Sequence, residues 1–119
     1  MKVEKMRKEL QATLDDNLVI IKKAAKKMDF DNMWECLPLF YVFKELHFFL
    51  SKVYEFDEYR MQALLTLEYP LFVLADYYRD IEDEDTTFAE LVDYAVTEIK
   101  SGVYLYRTDW QTLANALKN

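Results

Sequence analysis

Cys36 and His47 are the two side chains with the chemistry of a nucleophile and its base, and each is the only residue of its type in the chain. A Cys–His dyad needs the thiol and the imidazole within hydrogen-bond reach. If one helix carries both residues, their separation in sequence places them about 16 Å apart. If Pro38 breaks that helix, the two side chains could come closer, but nothing in the sequence orients them. We therefore expect His47 to be a packed or partly exposed structural residue rather than half of a catalytic pair.

The sequence also lacks the residues of the familiar metal and phosphate sites. Zinc sites need clusters of Cys and His, and di-iron bundles need paired Glu-x-x-His motifs. The run from Asp80 opens like a calcium loop, but Asp85 stands where that loop needs glycine and Leu91 where it needs glutamate. Gly102 is the only glycine, which excludes a glycine-rich phosphate loop. We predict no metal, no cofactor and no enzymatic activity, with acid–base catalysis by scattered carboxylates as the one enzymatic alternative.

The most unusual feature is a concentration of acidic side chains between residues 76 and 98. Nine carboxylates oppose Arg79 there, and five of the six residues from 80 to 85 are acidic. Tyrosines lie in the same region, and such aromatic residues anchor protein interfaces while carboxylates set register and association rate. The predicted partner-binding residues are Asp76, Tyr77, Tyr78, Asp80, Glu82, Asp83, Glu84, Asp85, Glu90 and Asp93.

Two interpretations of these acids stay open at the level of sequence. Negative charge before the helix capped by Thr87 complements the helix dipole and keeps a surface soluble. Alternatively, carboxylates one helical turn apart are separated by about 6 Å along the axis, close to the phosphate spacing along a DNA strand. An acidic ridge of that kind would dock in a basic groove.

A small, acidic, aromatic-rich helical chain with one cysteine resembles the inhibitors carried by phages and mobile elements, among them anti-CRISPR proteins that imitate DNA. The resemblance is one of type, with no shared motif, and assigns no residue. It implies a non-enzymatic inhibitor that occupies the basic groove of a protein partner, such as a nucleic-acid-binding nuclease. The alternative is a self-association or scaffold module, joined through the first helix or through exposed aromatic side chains, so that the chain is a monomer or a homodimer.

The elements that carry these residues are all predicted to be helices. With only one glycine and two prolines, the chain is poor in the residues that tight turns favour. The first helix, from about residue 3 to 28, shows an apolar stripe at steps of three and four residues. Its members are Val3, Met6, Leu10, Leu14, Leu18, Ile21, Ala25 and Met28. We predict one all-α domain over residues 1–119, a bundle of five or six helices.

Capping residues and prolines predict the remaining helix bounds. A second helix is capped by Asp31 or Asn32 and reaches about Tyr54. It is apolar almost all round, so we expect it to be buried centrally or covered by a partner, with Trp34 at least partly buried. Pro38 starts or kinks the second helix. Asp57 caps a third helix, and Pro70 either kinks that helix or opens a fourth that reaches Ile81. Thr87 and Gly102 bound a fifth helix, and Thr108 opens a last one that reaches Leu117.

The formal net charge of −7 is unevenly distributed. Residues 1–28 carry a net charge of +4 and residues 29–119 a net charge of −11. Most of the chain therefore repels nucleic acid and anionic membranes, and we predict direct binding to neither. The longest charge-free apolar stretch, from Cys36 to Phe43, is too short to span a bilayer. With no apolar leader at the N-terminus and a lone cysteine, we expect a soluble, cytoplasmic protein.

Overall fold

The computed structural model describes residues 2–79 and 86–102. Those residues form five α-helices and one π-helical segment, and they contain no strand. The helices are α1 (Lys2–Lys27), α2 (Phe30–Phe48), α3 (Glu58–Leu65), α4 (Pro70–Arg79) and α5 (Phe88–Ser101), and the π-helical segment Phe49–Val53 follows α2. The predicted all-α bundle is confirmed. The predicted helix that begins at Thr108 lies outside the described residues.

The apolar stripe of α1 faces the core and contacts α2, α3 and α4. Met6, Leu10, Leu14 and Ile21 of this stripe are buried, and the buried face continues through Asn17 and Ala24. The side chain of Asn17 is 2% exposed and accepts a hydrogen bond from the backbone N–H of Leu71 at 3.1 Å. Most of this stripe is covered by the chain itself, which leaves little apolar surface of α1 for pairing with another molecule.

The N-cap of the second helix lies two or three residues before the predicted one. Asp29 is the N-cap, and its carboxylate accepts a hydrogen bond from the N–H of Asn32 at 2.9 Å. Pro38 lies inside α2, so it does not start the helix. The chain continues through the π-helical segment and leaves the helical conformation at Tyr54, where the sequence placed the end.

Helices α3 and α4 follow their predicted start signals. Asp57 caps α3 by accepting from the N–H of Arg60 at 2.8 Å. Pro70 is the first residue of α4, a position where the missing N–H of proline costs no helical hydrogen bond. Every residue of α4 from Pro70 to Tyr77 is buried. Helix α4 therefore lies at the centre of the bundle, in contact with α1, α2 and α5.

Helix α5 is bounded by the predicted capping residues. Thr87 is the N-cap and accepts from the N–H of Glu90 at 3.1 Å. Gly102 ends the helix with φ of +82°, a left-handed conformation that glycine adopts without steric cost. Leu91, Ala95 and Ile99 lie on the buried face of this helix. In the part of the chain that the structure describes, no helix is both long and apolar enough to cross a membrane.

Candidate interaction surface

The predicted acidic ridge does not begin where the sequence placed it. Asp76 is 6% exposed and Tyr77 is 1% exposed, because both lie on the central helix α4. The carboxylate of Asp76 is 3.7 Å from the guanidinium of Arg79. Neither side chain can reach a partner's groove, so placing Asp76 and Tyr77 on a docking surface was wrong. The core of the acidic run, Asp80, Glu82, Asp83, Glu84 and Asp85, lies outside the described residues.

The remaining predicted site residues are exposed but have local roles. Glu90 lies in the first turn of α5, where its backbone N–H is capped by Thr87. Asp93 accepts a hydrogen bond at 2.7 Å from Arg60, which also pairs with Asp57. The bond to Asp93 raises the pKa of Arg60 above its ordinary value. Tyr78 is exposed at one edge, with its ring 5.7 Å from that of Phe88.

A different surface contains the largest concentration of exposed apolar side chains. Among the described residues, eleven large apolar side chains are exposed, and five of them lie on α2. We call these five the outer face of α2. Its members, with their exposed fractions, are Phe30 (76%), Trp34 (65%), Leu37 (43%), Tyr41 (64%) and Phe48 (56%). The other six are distributed over the rest of the structure, so α2 carries the one extended apolar face among these helices.

The outer face of α2 has the spacing of a helix-pairing seam. Its residues recur at steps of four, three, four and seven, which is the a/d pattern of a heptad repeat. Lys44, which is also exposed, occupies the one remaining position of this pattern. At about 100° per residue, all six side chains fall within a sector of about 80°. The outer face is therefore one continuous stripe along the helix.

The opposite side of α2 supplies its contact with the core. Phe43 and Leu46 are fully buried, and the ring of Phe43 lies 5.1 Å from that of Phe72 on α4. Both positions are about 180° around the helix from the outer face. One side of α2 thus holds the bundle together, while the other side directs aromatic rings into solvent. At its start, the rings of Phe30 and Trp34 stack with centroids 6.1 Å apart.

The exposure of Trp34 contradicts its predicted burial. The prediction assumed that a tryptophan between a cap and an apolar helix packs inward, but position 34 lies on the side of α2 away from Phe43. The sequence contained a signal for this arrangement. Two apolar stripes run along the same helix, one through Leu39, Phe43 and Leu46 and one through the outer face, and a single bundle covers only one of them. Since only Phe43 and Leu46 of α2 are buried, the expectation that this helix is buried centrally is wrong, and its coverage by a partner stays a prediction.

A polar junction joins α1 to the end of α2. His47 Nε2 lies 2.8 Å from the carboxylate of Asp15, which also accepts from the side-chain amide of Gln11 at 2.9 Å. Gln11 bonds the hydroxyl of Ser51 at 2.8 Å. Partial burial alone would raise the pKa of Asp15, but the hydrogen bonds from His47 and Gln11 outweigh it and place that pKa below its ordinary value.

The hydrogen bonds of this junction join α1 to the end of α2 and the segment that follows it, and their geometry is not that of a Ser–His pair. Ser51 bonds Gln11 and not His47, so no base is positioned at its hydroxyl. Cys36 and His47 lie on the same helix, about 16 Å apart along its axis. His47 is partly exposed, as one of the two predicted alternatives has it, and its structural role stays a prediction. Across residues 2–79 and 86–102, no group of three or more His, Cys, Asp or Glu side chains is arranged to hold a metal ion.

Comparison with known proteins identifies no relative. The chain matches no protein-family model, no curated protein and no solved structure.

Proposed function

We propose that this protein is a non-enzymatic self-association module that pairs through the outer face of α2. The observation that carries the proposal is the heptad-spaced row of exposed aromatic side chains on that helix. Exposed rings at a/d spacing are typical of helices that pack against another helix. The occupant that we propose is a second copy of this chain, because the same face then satisfies both partners.

The size of the outer face fits a homodimer. An aromatic side chain covers about 150–250 Å² when fully buried. At the observed exposures, the four rings of the face offer on the order of 500 Å² per copy. Two copies together therefore bury about 1,000 Å² from these rings alone, which is roughly the lower limit for a specific interface. Leu37 and the stem of Lys44 add to this area.

Sedimentation equilibrium over a range of protein concentrations tests the proposal. We expect a monomer–dimer equilibrium in the native chain, with a limiting mass of twice 14.3 kDa. Replacing Trp34 and Tyr41 by serine removes two central rings of the face. This double variant should raise the dissociation constant by more than about tenfold, because central aromatic side chains dominate interface energetics.

A matched variant replaces two tyrosines that lie elsewhere. Tyr59 on α3 and Tyr94 on α5 are each 54% exposed, so Tyr59→Ser with Tyr94→Ser removes a similar exposed aromatic area. This variant should dimerise like the native chain. A native chain that remains a clean monomer at high micromolar concentration would remove the proposal, and so would equal weakening by both double variants.

The acidic inhibitor is a second proposed function, and a specific feature favours it. Residues 29–119 carry a net charge of −11, and the described part of that region presents Glu90 and Asp93 on exposed positions of α5. In this proposal the chain occupies the basic groove of a nucleic-acid-binding protein. Attraction between opposite charges would then be strong at low ionic strength and screened as salt rises.

Reversing charge at three positions of the acidic run tests this second function. A variant with Asp80, Asp83 and Glu84 replaced by lysine should lose binding to a basic nuclease captured from the native host, while its melting temperature stays near that of the native chain. Binding should also compete with DNA or guide RNA. Undiminished binding by the lysine variant, or a complex that still binds nucleic acid fully, would eliminate inhibition by mimicry.

A further inference from the structure

We infer that two copies of α2 pair antiparallel about a two-fold axis near residue 39, so that Lys44 of each copy lies against the Trp34 ring of the other. This inference rests on the proposed self-association and specifies the geometry of that contact. It starts from the positions of the six residues that form the stripe, which are symmetric about residue 39. Phe30 and Phe48 are equally far from that point, as are Trp34 and Lys44, and Leu37 and Tyr41.

An antiparallel pair of helices brings these equidistant positions together. Each layer then combines an a position of one copy with a d position of the other, which is how heptad seams meet when the helices run in opposite directions. The three layers are Phe30 with Phe48, Trp34 with Lys44, and Leu37 with Tyr41. A two-fold axis repeats every layer, because residue i contacts residue j of the other copy and j contacts i.

The chemistry of the middle layer favours this direction over a parallel one. In a parallel pair, identical positions meet, so the two Lys44 ammonium groups would face each other within the seam. Like charges at close range in a partly desolvated interface are unfavourable. In the antiparallel pair each ammonium group instead lies over the face of an indole, the aromatic ring that attracts cations most strongly. Lys44 therefore selects the direction of pairing.

The acidic residues at the start of α2 also favour antiparallel pairing. The first turns carry Asp31 and Glu35, both exposed, together with the cap Asp29. A parallel pair would bring these carboxylates of the two copies to the same end. An antiparallel pair places them at opposite ends of the interface, and it also aligns the helix dipoles in opposite directions. The resulting contact is closed, so assembly stops at the dimer.

Disulfide trapping with two single-cysteine variants tests the direction. Both variants carry Cys36→Ser; one also carries Phe30→Cys and the other Phe48→Cys, and one bears a short tag so that mixed and self dimers differ in mass. A disulfide needs Cα atoms about 4.4–6.8 Å apart. In the antiparallel pair, position 30 lies opposite position 48, whereas two copies of position 30 are about 27 Å apart along the axis.

We expect the mixture to form predominantly the 30–48 disulfide on mild oxidation, and each variant alone to form little. Self-disulfides from each single variant would show a parallel pair and overturn this inference while leaving the proposed self-association in place. A mixture that sediments as a dimer but forms no disulfide would also overturn it, because the copies then meet elsewhere. A mixture and a native chain that both sediment as monomers would contradict the inference and the proposed function together.

A charge variant at the middle layer provides an independent measurement without engineered cysteines. Lys44→Glu places a carboxylate over the electron-rich face of Trp34 of the other copy, so it should weaken dimerisation by about tenfold or more. The matched control is Lys8→Glu, because Lys8 is an exposed lysine on a different helix, α1. Equal effects of the two substitutions would contradict the Lys44–Trp34 contact.

Discussion

Helices α2 and α4 contain the same tripeptide, Pro-Leu-Phe, at residues 38–40 and 70–72, yet the two helices are buried to very different extents. In α4 every residue from 70 to 77 is buried, including a carboxylate. In α2, which is almost twice as long, only Phe43 and Leu46 are buried. Local composition therefore does not determine burial here. The number of neighbouring helices does, since α4 is enclosed on several sides and α2 lies at the edge of the bundle.

The difference separates two roles for apolar side chains in one small protein. Those of α4 stabilise the fold of a single chain. Those on the outer face of α2 contribute nothing to the core and keep their rings in water, which is unfavourable unless another molecule covers them. We therefore expect substitutions on α4 to change the free energy of unfolding. Substitutions on the outer face of α2 should change assembly instead.

The largest expected effect comes from truncating one phenylalanine on each helix. Phe72→Ala on α4 should lower the free energy of unfolding by about 3–5 kcal/mol, because it removes a fully buried ring and leaves a cavity. Phe48→Ala on α2 should change that quantity by less than about 0.5 kcal/mol. Urea denaturation at a concentration where the chain is monomeric measures both values. Similar losses in the two variants would contradict the contrast between the helices.

A smaller loss of stability is expected from substituting Asn17, whose buried side-chain amide binds the start of α4. Asn17→Ala leaves the backbone N–H of Leu71 without its 3.1 Å partner. A buried donor without an acceptor costs about 1–3 kcal/mol, so the variant should unfold at lower urea concentration. Asn32→Ala, at an exposed position of α2, is the control and should be nearly neutral. Equal stability of the Asn17 variant and the native chain would argue against this hydrogen bond.

Helix bounds were largely predictable from the sequence because capping is local chemistry. Asp57, Thr87 and Gly102 act within a few residues of their own position, and all three have the predicted role. Burial was less predictable because it depends on which helices become neighbours. Asn17 looks like an interruption of the α1 stripe until Leu71 is known to lie opposite it. For the same reason, Trp34 was predicted to be partly buried but is exposed, and Asp76 was predicted to lie on a docking surface but is buried.

The two prolines should respond oppositely to substitution. Pro38 lies inside α2, where proline removes a backbone hydrogen bond. Replacing it by alanine restores that bond but also makes the unfolded chain more flexible, which offsets part of the gain. Pro38→Ala should therefore raise the free energy of unfolding by about 1–3 kcal/mol. Pro70 is the first residue of α4 and is buried. Pro70→Ala should therefore lower the free energy of unfolding by about 1 kcal/mol, because apolar contact is lost. Thermal melting of the two monomeric variants, followed by circular dichroism, shows whether each substitution stabilises or destabilises the fold. A destabilised Pro38→Ala variant would contradict this account of α2.

The smallest expected effect is a pH dependence at the junction between α1 and α2. The pKa of Asp15 is lower in the folded chain than its ordinary value, so this carboxylate stabilises the fold above about pH 4. That contribution is lost as pH falls through the depressed pKa. Asp15 is largely exposed, so we expect less than about 1 kcal/mol. Native and Asp15→Asn chains should differ in unfolding free energy at pH 7 and converge at acidic pH, once this carboxylate is protonated in the folded chain. A difference that is unchanged by pH would contradict this role.

Fluorescence of Trp34 as a function of protein concentration tests the central claim most directly. A Trp110→Phe variant leaves Trp34 as the only tryptophan in the chain. In the monomer this side chain is 65% exposed, and in the proposed dimer it is covered by the other copy. We predict emission at the wavelength of hydrated indole at low concentration and a shift to shorter wavelength as the mass doubles in sedimentation. Emission that stays at the hydrated wavelength while the mass doubles would contradict pairing through the outer face of α2.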